Sequence, residues 1–599
     1  MPNIQHLLDS RVTAAMRAAF PDAEAPAIVQ SSQDPRFGDN QANGAMALAK
    51  LLKMKPRDVA AAIIARLDVS DLADKVEIAG PGFINITLRR EWVAAEIGRI
   101  NADERLGVPQ AEKPETVVVD YSAPNLAKEM HVGHLRSTII GDALARMLDF
   151  AGHKVVRQNH VGDWGTQVGM LVAFFYRAET TREFAEKANL LLTDLEGFYR
   201  QAKTLFDSPD KKFAQESGLA VVKLQSGDKE IQSTWNAWRS ASLLHASNVY
   251  DRLGVTLTQD HIRGESAYNK LLPVVIQVLR EKNLSRPSEG AECVFLPGFV
   301  AKDGSPLPLI VQKSDEGYLY ATTDLAAIAF RTGFDRRFAT LEETGAQSPH
   351  AARVLYVVDA RQAQHFQMVF ACARLAGFAP ESVALEHIAF GTMMGADGKP
   401  FKTRTGGTVK LMDLLDEAET RAFDLVTAKS PDVPEDERRR IARIVGIGAV
   451  KYADLSQNRT SDYVFSWEKM LSLDGNTAPY MQYAYARVRS IFRKGGHEAE
   501  GHRADAAPIP IEDPKELALA KAILRFAEVL GRALEDYRPN VLAAYLYDLA
   551  GAFTAFYDAC PVIQSEEPLR SRRLKLCDLT ARVIARGLGL LGIETTERM

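Results

Sequence analysis

The residues that most clearly could do chemistry are two histidines that flank a glycine, in the segment His131-Val132-Gly133-His134. Imidazole rings supply directional hydrogen-bond donors, and a glycine lets a flat base or a ribose approach the backbone closely. A helix that begins at this point adds free N–H groups and a partial positive charge, which suit a phosphate. This combination predicts a site for a phosphorylated nucleotide.

Two other interpretations of these histidines stay open from the residues alone. They could be ordinary polar residues at the start of a helix. They could also bind a metal together with His160, although no acidic residue is placed like the glutamate of a zinc-protease helix.

The elements around this segment predict where the site lies. The β-branched run Thr116–Val119 is typical of a buried parallel strand, and the loop Asp120–Met130 follows it. Apolar residues then recur at helical spacing from Gly133 to Gly152, and a short strand, Val155–Val156, comes next. Ligands of open α/β sheets bind beyond the carboxyl ends of the strands, so the histidines stand in the expected place.

Further strand patterns indicate that this βαβ unit belongs to a larger domain. They are Cys293–Leu296, Leu309–Val311, Val354–Val358 and Val383–Phe390. Together they predict a doubly wound, Rossmann-like α/β domain with a parallel sheet over residues 113–433, interrupted by a helical insertion at about 172–252.

The two ends of the chain differ from this middle part. The strand-like runs Val76–Ala79 and Phe83–Leu88, mixed with helical stretches, predict a small α+β domain over residues 1–112. From Pro434 the strand signals disappear and helical periodicity continues, which predicts an all-α bundle over residues 434–599.

The composition is that of a large globular protein. The chain has 599 residues, of which 46% are hydrophobic and 25% are charged, which excludes disorder as the dominant state and a one-domain binding module. The formal net charge is -4, so any contact with nucleic acid must use local patches. The four cysteines include no CxxC pair, and neither a membrane span nor a secretory signal is apparent, which predicts a cytoplasmic protein.

Several long runs of the chain match one family of enzymes. The runs are Ser122–Asn125, Lys128–Asp142, Asn159–Gln167, Gly317–Asp324, Asp359–Gln362 and Tyr480–Arg487. They resemble class I aminoacyl-tRNA synthetases, and arginyl-tRNA synthetases in particular. The resemblance implies that ATP activates L-arginine to arginyl-adenylate with release of pyrophosphate, and that the arginyl group then passes to the 2′-hydroxyl of the terminal adenosine of tRNA(Arg). It also implies that Mg²⁺ accompanies ATP and that activation needs bound tRNA.

The resemblance assigns His131, Gly133 and His134 to ATP binding and the two histidines to catalysis, because in the family they stabilise charge that builds at the α-phosphate. We expect no metal site made by the protein alone, since Mg²⁺ would be held largely through phosphates and water.

A second family signature is a lysine-rich loop, and its place here is Gly398–Gly407, which departs from the usual pattern. Basic residues in such a loop can close over a triphosphate and neutralise the leaving pyrophosphate. The expected ATP contacts in it are Lys399 and Lys402. In family members with this degenerate loop a lysine before the first motif is thought to compensate, so Lys128 and Lys402 share the expected catalytic role.

An arginine pocket needs carboxylates and planar walls, because a guanidinium is a permanently charged fork of five N–H donors. The resemblance maps such a pocket onto Asp120, Ser122, Asn125, Tyr320, Asp324 and Gln362. It places Ser122 and Asn125 near the backbone of the amino acid. Lysine carries a compact ammonium that would leave buried acceptors unpaired, so this pocket should reject it.

Residues in the helical tail indicate contact with RNA. Tyr485, Arg489 and Arg493 follow one another at helical spacing, and aromatic rings that stack on bases beside arginines that meet phosphates suit single-stranded loops. The tail is similar to the anticodon-binding domain of arginyl enzymes. The N-terminal domain is similar to the extra domain of that family, which contacts the elbow of the tRNA.

Two other classes of function are compatible with parts of the pattern. A small-molecule nucleotidyltransferase also uses a His-x-Gly-His loop, but it would not need the long helical tail. A non-catalytic RNA-binding paralogue would keep the tail and let the loop decay, and the intact histidines argue against decay. We expect the enzyme to be a monomer.

Overall fold

The computed structural model folds the chain into two compact units. It describes residues 4–599 apart from 33, 127, 178–181, 184, 188–189, 191–193, 315, 343, 402–408 and 497–505. The first unit comprises residues 1–110, 473–589 and 594–599, and the second comprises residues 111–472 and 590–593.

The N-terminal part of the first unit is an antiparallel sheet with helices packed on it. In spatial order the strands are Val29–Ser31, Asn40–Ala42, Phe83–Leu88 and Ala73–Ala79. The helices are Ile4–Ala19, Gly44–Leu52, Pro56–Ile64 and Arg90–Asn101. The two strand-like runs seen in the sequence form a hairpin in which Ala79 pairs with Phe83, so the predicted α+β character of this region is confirmed.

The C-terminal part of the first unit is helical, as predicted. Its helices are Ala478–Gly495, Pro514–Leu524, Phe526–Glu535, Pro539–Ala559 and Leu569–Leu590. Within this unit the helices bind the N-terminal sheet through polar contacts: Ser31 Oγ donates to Glu528 Oε2 at 2.7 Å, and Lys521 Nζ lies 2.7 Å from Asp39 Oδ1. The helix that starts next to Pro434, Glu435–Leu455, lies in the second unit instead.

The second unit is built on a parallel sheet. In spatial order its strands are Ala384–His387, Arg353–Tyr356, Thr116–Asp120 and Lys154–Gln158. The chain leaves Thr116–Asp120 through helix Val132–Phe150 to the strand on one side, and it returns much later to the strand on the other side. This reversal is the topological switch point of a doubly wound sheet, where ligands bind beyond the carboxyl ends of the strands. The predicted α/β fold is confirmed.

Helices cover this sheet and complete its core. Val118 and Val354 of the sheet pack in one apolar cluster with Leu325 and Ile328 of helix Tyr320–Thr332. Helices Ala363–Ala376 and Leu272–Glu281 contribute to the same cluster. The sheet residues are β-branched because both faces are buried.

Two of the predicted parallel strands belong to a different sheet. Cys293–Leu296 and Leu309–Val311 lie in strands Ala291–Val300 and Pro306–Gln312, which form an antiparallel sheet with Ser285–Ser288. Glu289 and Gly290, both at positive φ, join Ser285–Ser288 to Ala291–Val300 in a two-residue turn that reverses the chain. Pro306–Gln312 pairs antiparallel with Ala291–Val300 on its other side, so the prediction that these segments join the parallel sheet is wrong.

The predicted helical insertion is confirmed. Its helices include Thr166–Tyr176, Leu195–Phe206, Lys212–Gln225 and Lys229–Leu253. They enclose their own apolar core, to which Phe174, Phe198, Trp235 and Trp238 contribute.

The remaining elements of the second unit follow the parallel sheet or connect its parts. Short 3₁₀ helices are Gln259–His261, Glu265–Leu271, Arg336–Phe338 and Ala360–Gln362, and the longer helices are Leu411–Lys429, Glu435–Leu455 and Trp467–Met470. Two short strand pairs complete the unit: Thr340–Leu341 with Ala346–Gln347, and Met393–Met394 with Tyr463–Val464.

Candidate active site

The two histidines form the cap of helix Val132–Phe150. His131 is its N-cap residue, and its Nδ1 accepts a hydrogen bond from the backbone N–H of Gly133 at 3.0 Å. His134 reaches back, so that its Nδ1 accepts from the backbone N–H of His131 at 3.1 Å. In a neutral imidazole the other nitrogen then carries the proton, so both Nε2 atoms are hydrogen-bond donors.

The environment keeps these rings uncharged. Burial, together with the neighbouring His131 and Lys128, lowers the pKa of His134 to about 3, because a second positive charge here would be repelled. Burial and the charge of Lys128 also lower the pKa of His131. With ring centroids only 4.0 Å apart, the two histidines present neutral N–H donors at neutral pH. Such donors suit a phosphate whose negative charge grows during a reaction.

Gly133 is required by its contact with the first histidine. A Cβ atom at this position would lie 2.7 Å from Cε1 and 2.9 Å from Nδ1 of His131. Any other residue would push the ring out of its capping position, so the glycine and the histidine geometry depend on each other.

The residues that follow the lysine-rich loop contact this helix cap. At the start of the loop, the N–H of Gly395 donates to the carbonyl of Lys399 at 2.7 Å, which anchors Lys399 beside the short strand Met393–Met394. After it, the N–H of Leu411 donates to Met130 at 2.9 Å, and the N–H of Val132 donates to Val409 at 3.1 Å.

Of the two candidate catalytic lysines, the structure describes only Lys128. Lys402 lies outside the described residues. Lys128 lies in the loop before the histidines, with Nζ 4.3 Å from the ring centroid of Tyr199, which belongs to helix Leu195–Phe206 of the insertion. The insertion therefore contacts the loop that leads to the helix cap.

The structure brings together three of the residues expected to bind arginine. Tyr320 and Asp324 lie one turn apart on helix Tyr320–Thr332, and Tyr320 is 60% exposed. His365 Nε2 lies 2.6 Å from Asp324 Oδ2, and its ring centroid is 4.7 Å from that of Tyr320. Gln362 is exposed at the start of the helix that carries His365.

Asp120 differs from the expectation because it already has a cationic partner. Arg331 Nη2 donates to Asp120 Oδ2 at 2.7 Å, and Arg331 Nε donates to Gln158 Oε1 at 2.7 Å. The side chains of Arg331 and Asp120 are both buried. The carboxylate at the end of the first strand is thus paired inside the protein, beneath the place where we expected the substrate.

Ser122 and Asn125 lie in the loop that follows the first strand. Ser122 Oγ is 2.8 Å from the hydroxyl of Tyr250, which comes from the insertion. Asn125 pairs through its backbone with Gly162, which places it next to the loop that follows the second strand. Both residues are therefore at the switch point of the parallel sheet.

Sequence reasoning missed Glu265, a carboxyl group close to Asp324. Burial, reinforced by the negative charges of Asp163 and Asp324, raises the pKa of Glu265 to about 8. In the part of the chain that the structure describes, no Lys, Arg or His lies within ion-pair distance of it. No motif or periodicity marks the segment Arg263-Gly264-Glu265, so only the fold reveals it. A buried acid without a cation is suited to receive one from a ligand.

The three candidate tRNA residues differ in how far the fold engages them. Arg489 lies 3.2 Å from Glu597 and 3.8 Å from Asp578, and its side chain is mostly buried. Burial raises the pKa of Tyr485, and Arg493 is exposed. Two of the three residues are thus engaged within the first unit.

Another face of the same helix, Ala478–Gly495, is more accessible. Tyr483 is 45% exposed, and Tyr547 of the neighbouring helix is 38% exposed. Arg487 lies over the ring of Tyr557 with its guanidinium carbon 4.9 Å from the centroid. This face offers aromatic rings on which unpaired bases can stack, and an arginine whose Nη2 lies 3.5 Å from Asp558 Oδ1 at an exposed ion pair.

Among the described residues, no group of His, Cys, Asp or Glu side chains is arranged to hold a metal ion. No helix in the described part of the chain is both long and apolar enough to cross a bilayer.

This fold and this site are those of a class I tRNA synthetase. The family model described as "tRNA synthetases class I (R), catalytic domain" matches residues 96–467. The model for the "Arginyl tRNA synthetase N terminal domain" matches residues 3–88, and that for the "DALR anticodon binding domain" matches residues 481–599. The chain belongs to the arginyl-tRNA synthetase family.

Individual relatives are similar to this chain over their full length. The chain is 53% identical to an arginine–tRNA ligase of Hahella chejuensis and 52% identical to one of Escherichia coli, with 100% of each chain covered. Among solved structures, the arginyl-tRNA synthetases of Plasmodium falciparum and Thermus thermophilus superpose with TM-scores of 0.83 and 0.81. Both are 28% identical, and both comparisons cover 100% of each chain.

Proposed function

We propose that this protein ligates L-arginine to tRNA(Arg) in an ATP-dependent reaction. The observation that carries the proposal is the pairing of two chemically different sites at one sheet switch point. One is a helix cap with two neutral imidazole donors, and the other is an acidic pocket formed by Asp324 and Glu265. A triphosphate suits the first site and a guanidinium suits the second.

In the activation step, a carboxylate oxygen of arginine attacks the α-phosphorus of ATP. A phosphorus–oxygen bond to arginine forms, the bond to the β-phosphate breaks, and pyrophosphate leaves with the electron pair. The Nε2–H groups of His131 and His134 donate to the phosphate oxygens on which charge builds. Because both rings are neutral, they stabilise this charge without transferring a proton. Lys128, Lys399 and Lys402 would neutralise the phosphates.

In the transfer step, the 2′-hydroxyl of the terminal adenosine of the tRNA attacks the carbonyl carbon of the adenylate. An ester forms and AMP leaves. Mg²⁺ would accompany ATP and bind largely through phosphates and water.

The acidic pocket accounts for the choice of arginine. Asp324 is hydrogen-bonded to His365, and Glu265 lies close enough for the charge of Asp324 to raise its pKa. A guanidinium can donate to two carboxylates at once in a fixed plane, and a lysine ammonium cannot. We propose that Asp324 and Glu265 bind the guanidinium, with Tyr320 as a wall and Ser122, Asn125 and Gln362 at the backbone of the amino acid. Asp120 would support this pocket through Arg331 rather than by touching the substrate.

For the RNA we propose that the accessible face with Tyr483, Tyr547 and Arg487 binds unpaired anticodon bases, with Arg493 and Tyr485 at its border. Arg489 would hold the helix in place. We further propose that the functional domains are 1–112, 113–433 and 434–599, that the N-terminal domain contacts the tRNA elbow, and that the enzyme is a cytoplasmic monomer.

ATP–pyrophosphate exchange with each amino acid, with and without tRNA, tests the proposal. Arginine in the presence of tRNA(Arg) should give the strongest exchange. Exchange with a substrate that is not an amino acid would favour a small-molecule nucleotidyltransferase. No exchange, together with tight tRNA binding, would favour a non-catalytic RNA-binding protein.

A further inference from the structure

The loop that follows the first parallel strand contains two consecutive residues in a rare backbone conformation. Ser122 has φ of 72° and Ala123 has φ of 44°, and neither is a glycine. Residues with side chains avoid this region unless the surrounding structure holds them there. Such strain clusters at functional sites, and this turn leads from the sheet into the site described above.

Four side chains hold this turn. The N–H of Ser122 donates to Ser137 Oγ at 2.9 Å, and the N–H of Ala123 donates to Asn159 Oδ1 at 3.0 Å. Asn159 Nδ2 also donates to the hydroxyl of Tyr250 at 2.9 Å, and that hydroxyl lies 2.8 Å from Ser122 Oγ. Thr138 Oγ1 is 2.9 Å from Ser122 Oγ on its other side.

These hydrogen bonds form one buried chain. Thr138 Oγ1 donates to Ser122 Oγ and also lies 2.7 Å from the carbonyl oxygen of His134, so its single proton is shared between two acceptors. The Ser122 hydroxyl is bonded on its other side to the hydroxyl of Tyr250, which accepts from Asn159. The tyrosine hydroxyl therefore links Asn159 to Ser122 in a chain that ends at the histidine cap.

Among the side chains that hold the turn, Tyr250 is the one that comes from the insertion. It lies on helix Lys229–Leu253, which also carries Trp235 and Arg239. Trp235 Nε1 donates to the carbonyl of Asp163 at 2.9 Å, and Arg239 Nε donates to Asp163 Oδ2 at 2.6 Å. One face of this helix thus contacts the loops that follow strands Thr116–Asp120 and Lys154–Gln158.

We propose that Tyr250 is a positioning residue for arginine: its hydroxyl holds the strained Ser122–Ala123 turn in the conformation that receives the amino-acid backbone of the substrate. This inference rests on the proposed function, because it assigns the turn to the arginine end of the site. ATP, in contrast, is held by the histidine cap, which has its own hydrogen bonds.

Tyr250→Phe in the full-length enzyme tests this inference, since it removes the hydroxyl and keeps the ring. We expect the KM for arginine to rise about tenfold, because that is the effect of losing one buried hydrogen bond. The KM for ATP should change by less than about twofold. In a Ser122→Ala background the same change should add less, because the hydrogen bond to Ser122 is already missing and only the one from Asn159 remains to be lost.

Tyr176→Phe is the matched control. Its hydroxyl lies 2.8 Å from Thr234 Oγ1 within the same insertion and has no part in the turn. We expect it to leave both KM values unchanged, and thermal unfolding of both variants will verify that they fold. An unchanged KM for arginine in folded Tyr250→Phe overturns the inference, and so does an equal rise for arginine and ATP, or full additivity with Ser122→Ala. Failure of the unmodified enzyme to use arginine would overturn the proposed function itself.

Discussion

The KM for arginine should fall as the pH rises toward about 8, because Glu265 must lose its proton before it can pair with a guanidinium. Burial and the neighbouring charges of Asp163 and Asp324 raise the pKa of Glu265 to about 8 in the enzyme without substrate. The acid is therefore mostly protonated at neutral pH. A bound guanidinium favours the carboxylate, so the two processes are linked.

The magnitude follows from the size of the pKa difference. Each pH unit below the pKa costs ~1.4 kcal/mol to remove the proton, which is about a tenfold loss of affinity per unit. At pH 7 the KM should be roughly tenfold above its value on the plateau above pH 8, and binding should release about 0.9 proton per arginine. Above the pKa the carboxylate is already formed, so the curve becomes flat.

The assay is steady-state aminoacylation at several pH values, with calorimetry of arginine binding in buffers of different ionisation enthalpy to count protons. Glu265→Gln cannot ionise, so its KM should be high and independent of Glu265 titration. Glu281→Gln, an exposed acid of the same unit, should keep the profile of the unmodified enzyme. A KM that does not change between pH 6 and 8, or binding without proton release at pH 7, would refute the placement of Glu265 against the guanidinium.

Three further results are expected. His134→Ala should slow adenylate formation by about 10² or more, since one transition-state donor is lost; near-normal single-turnover rates would overturn this role. Tyr483→Ala should raise the KM for tRNA, whereas Arg489→Ala should mainly lower the melting temperature; the reverse pattern in filter binding and thermal unfolding would contradict the assignment of the exposed face. Arg331→Met should reduce the free energy of unfolding by about 3–5 kcal/mol, because it leaves the buried Asp120 carboxylate unpaired; chemical denaturation with no shift of midpoint would disprove that pairing.

Local pattern was sufficient to predict the elements that carry the nucleotide site. The β-branched run that ends at Asp120, the helical period after Gly133 and the two histidines between them are close in sequence, so their relation is fixed by chain geometry. The two strand runs Cys293–Leu296 and Leu309–Val311 were assigned to the wrong sheet, since an apolar run looks alike in either kind of sheet, whereas the later runs around Val354 and Leu385 do lie in the parallel sheet. The two-residue turn at Glu289 and Gly290 was the available signal.

Pairings between distant residues could not be predicted in this way. Asp120 and Arg331 are far apart along the chain, and so are Arg489 and Glu597. From the sequence alone, such a carboxylate or guanidinium is therefore interpreted as available for a ligand, although in the fold it already has an ion-pair partner. Glu265 is the opposite case, because the lack of a cationic partner among the described residues becomes visible only when its neighbours are known.

The central claim is that the acidic pocket and the histidine cap together select arginine for transfer to tRNA. The most direct measurement is charging of tRNA(Arg) with labelled arginine and, separately, labelled lysine, compared as kcat/KM. We predict efficient arginylation and discrimination against lysine of roughly 10⁴ or more, because lysine would leave buried acceptors unpaired. Absence of arginylation, or comparable charging with lysine, would contradict the account.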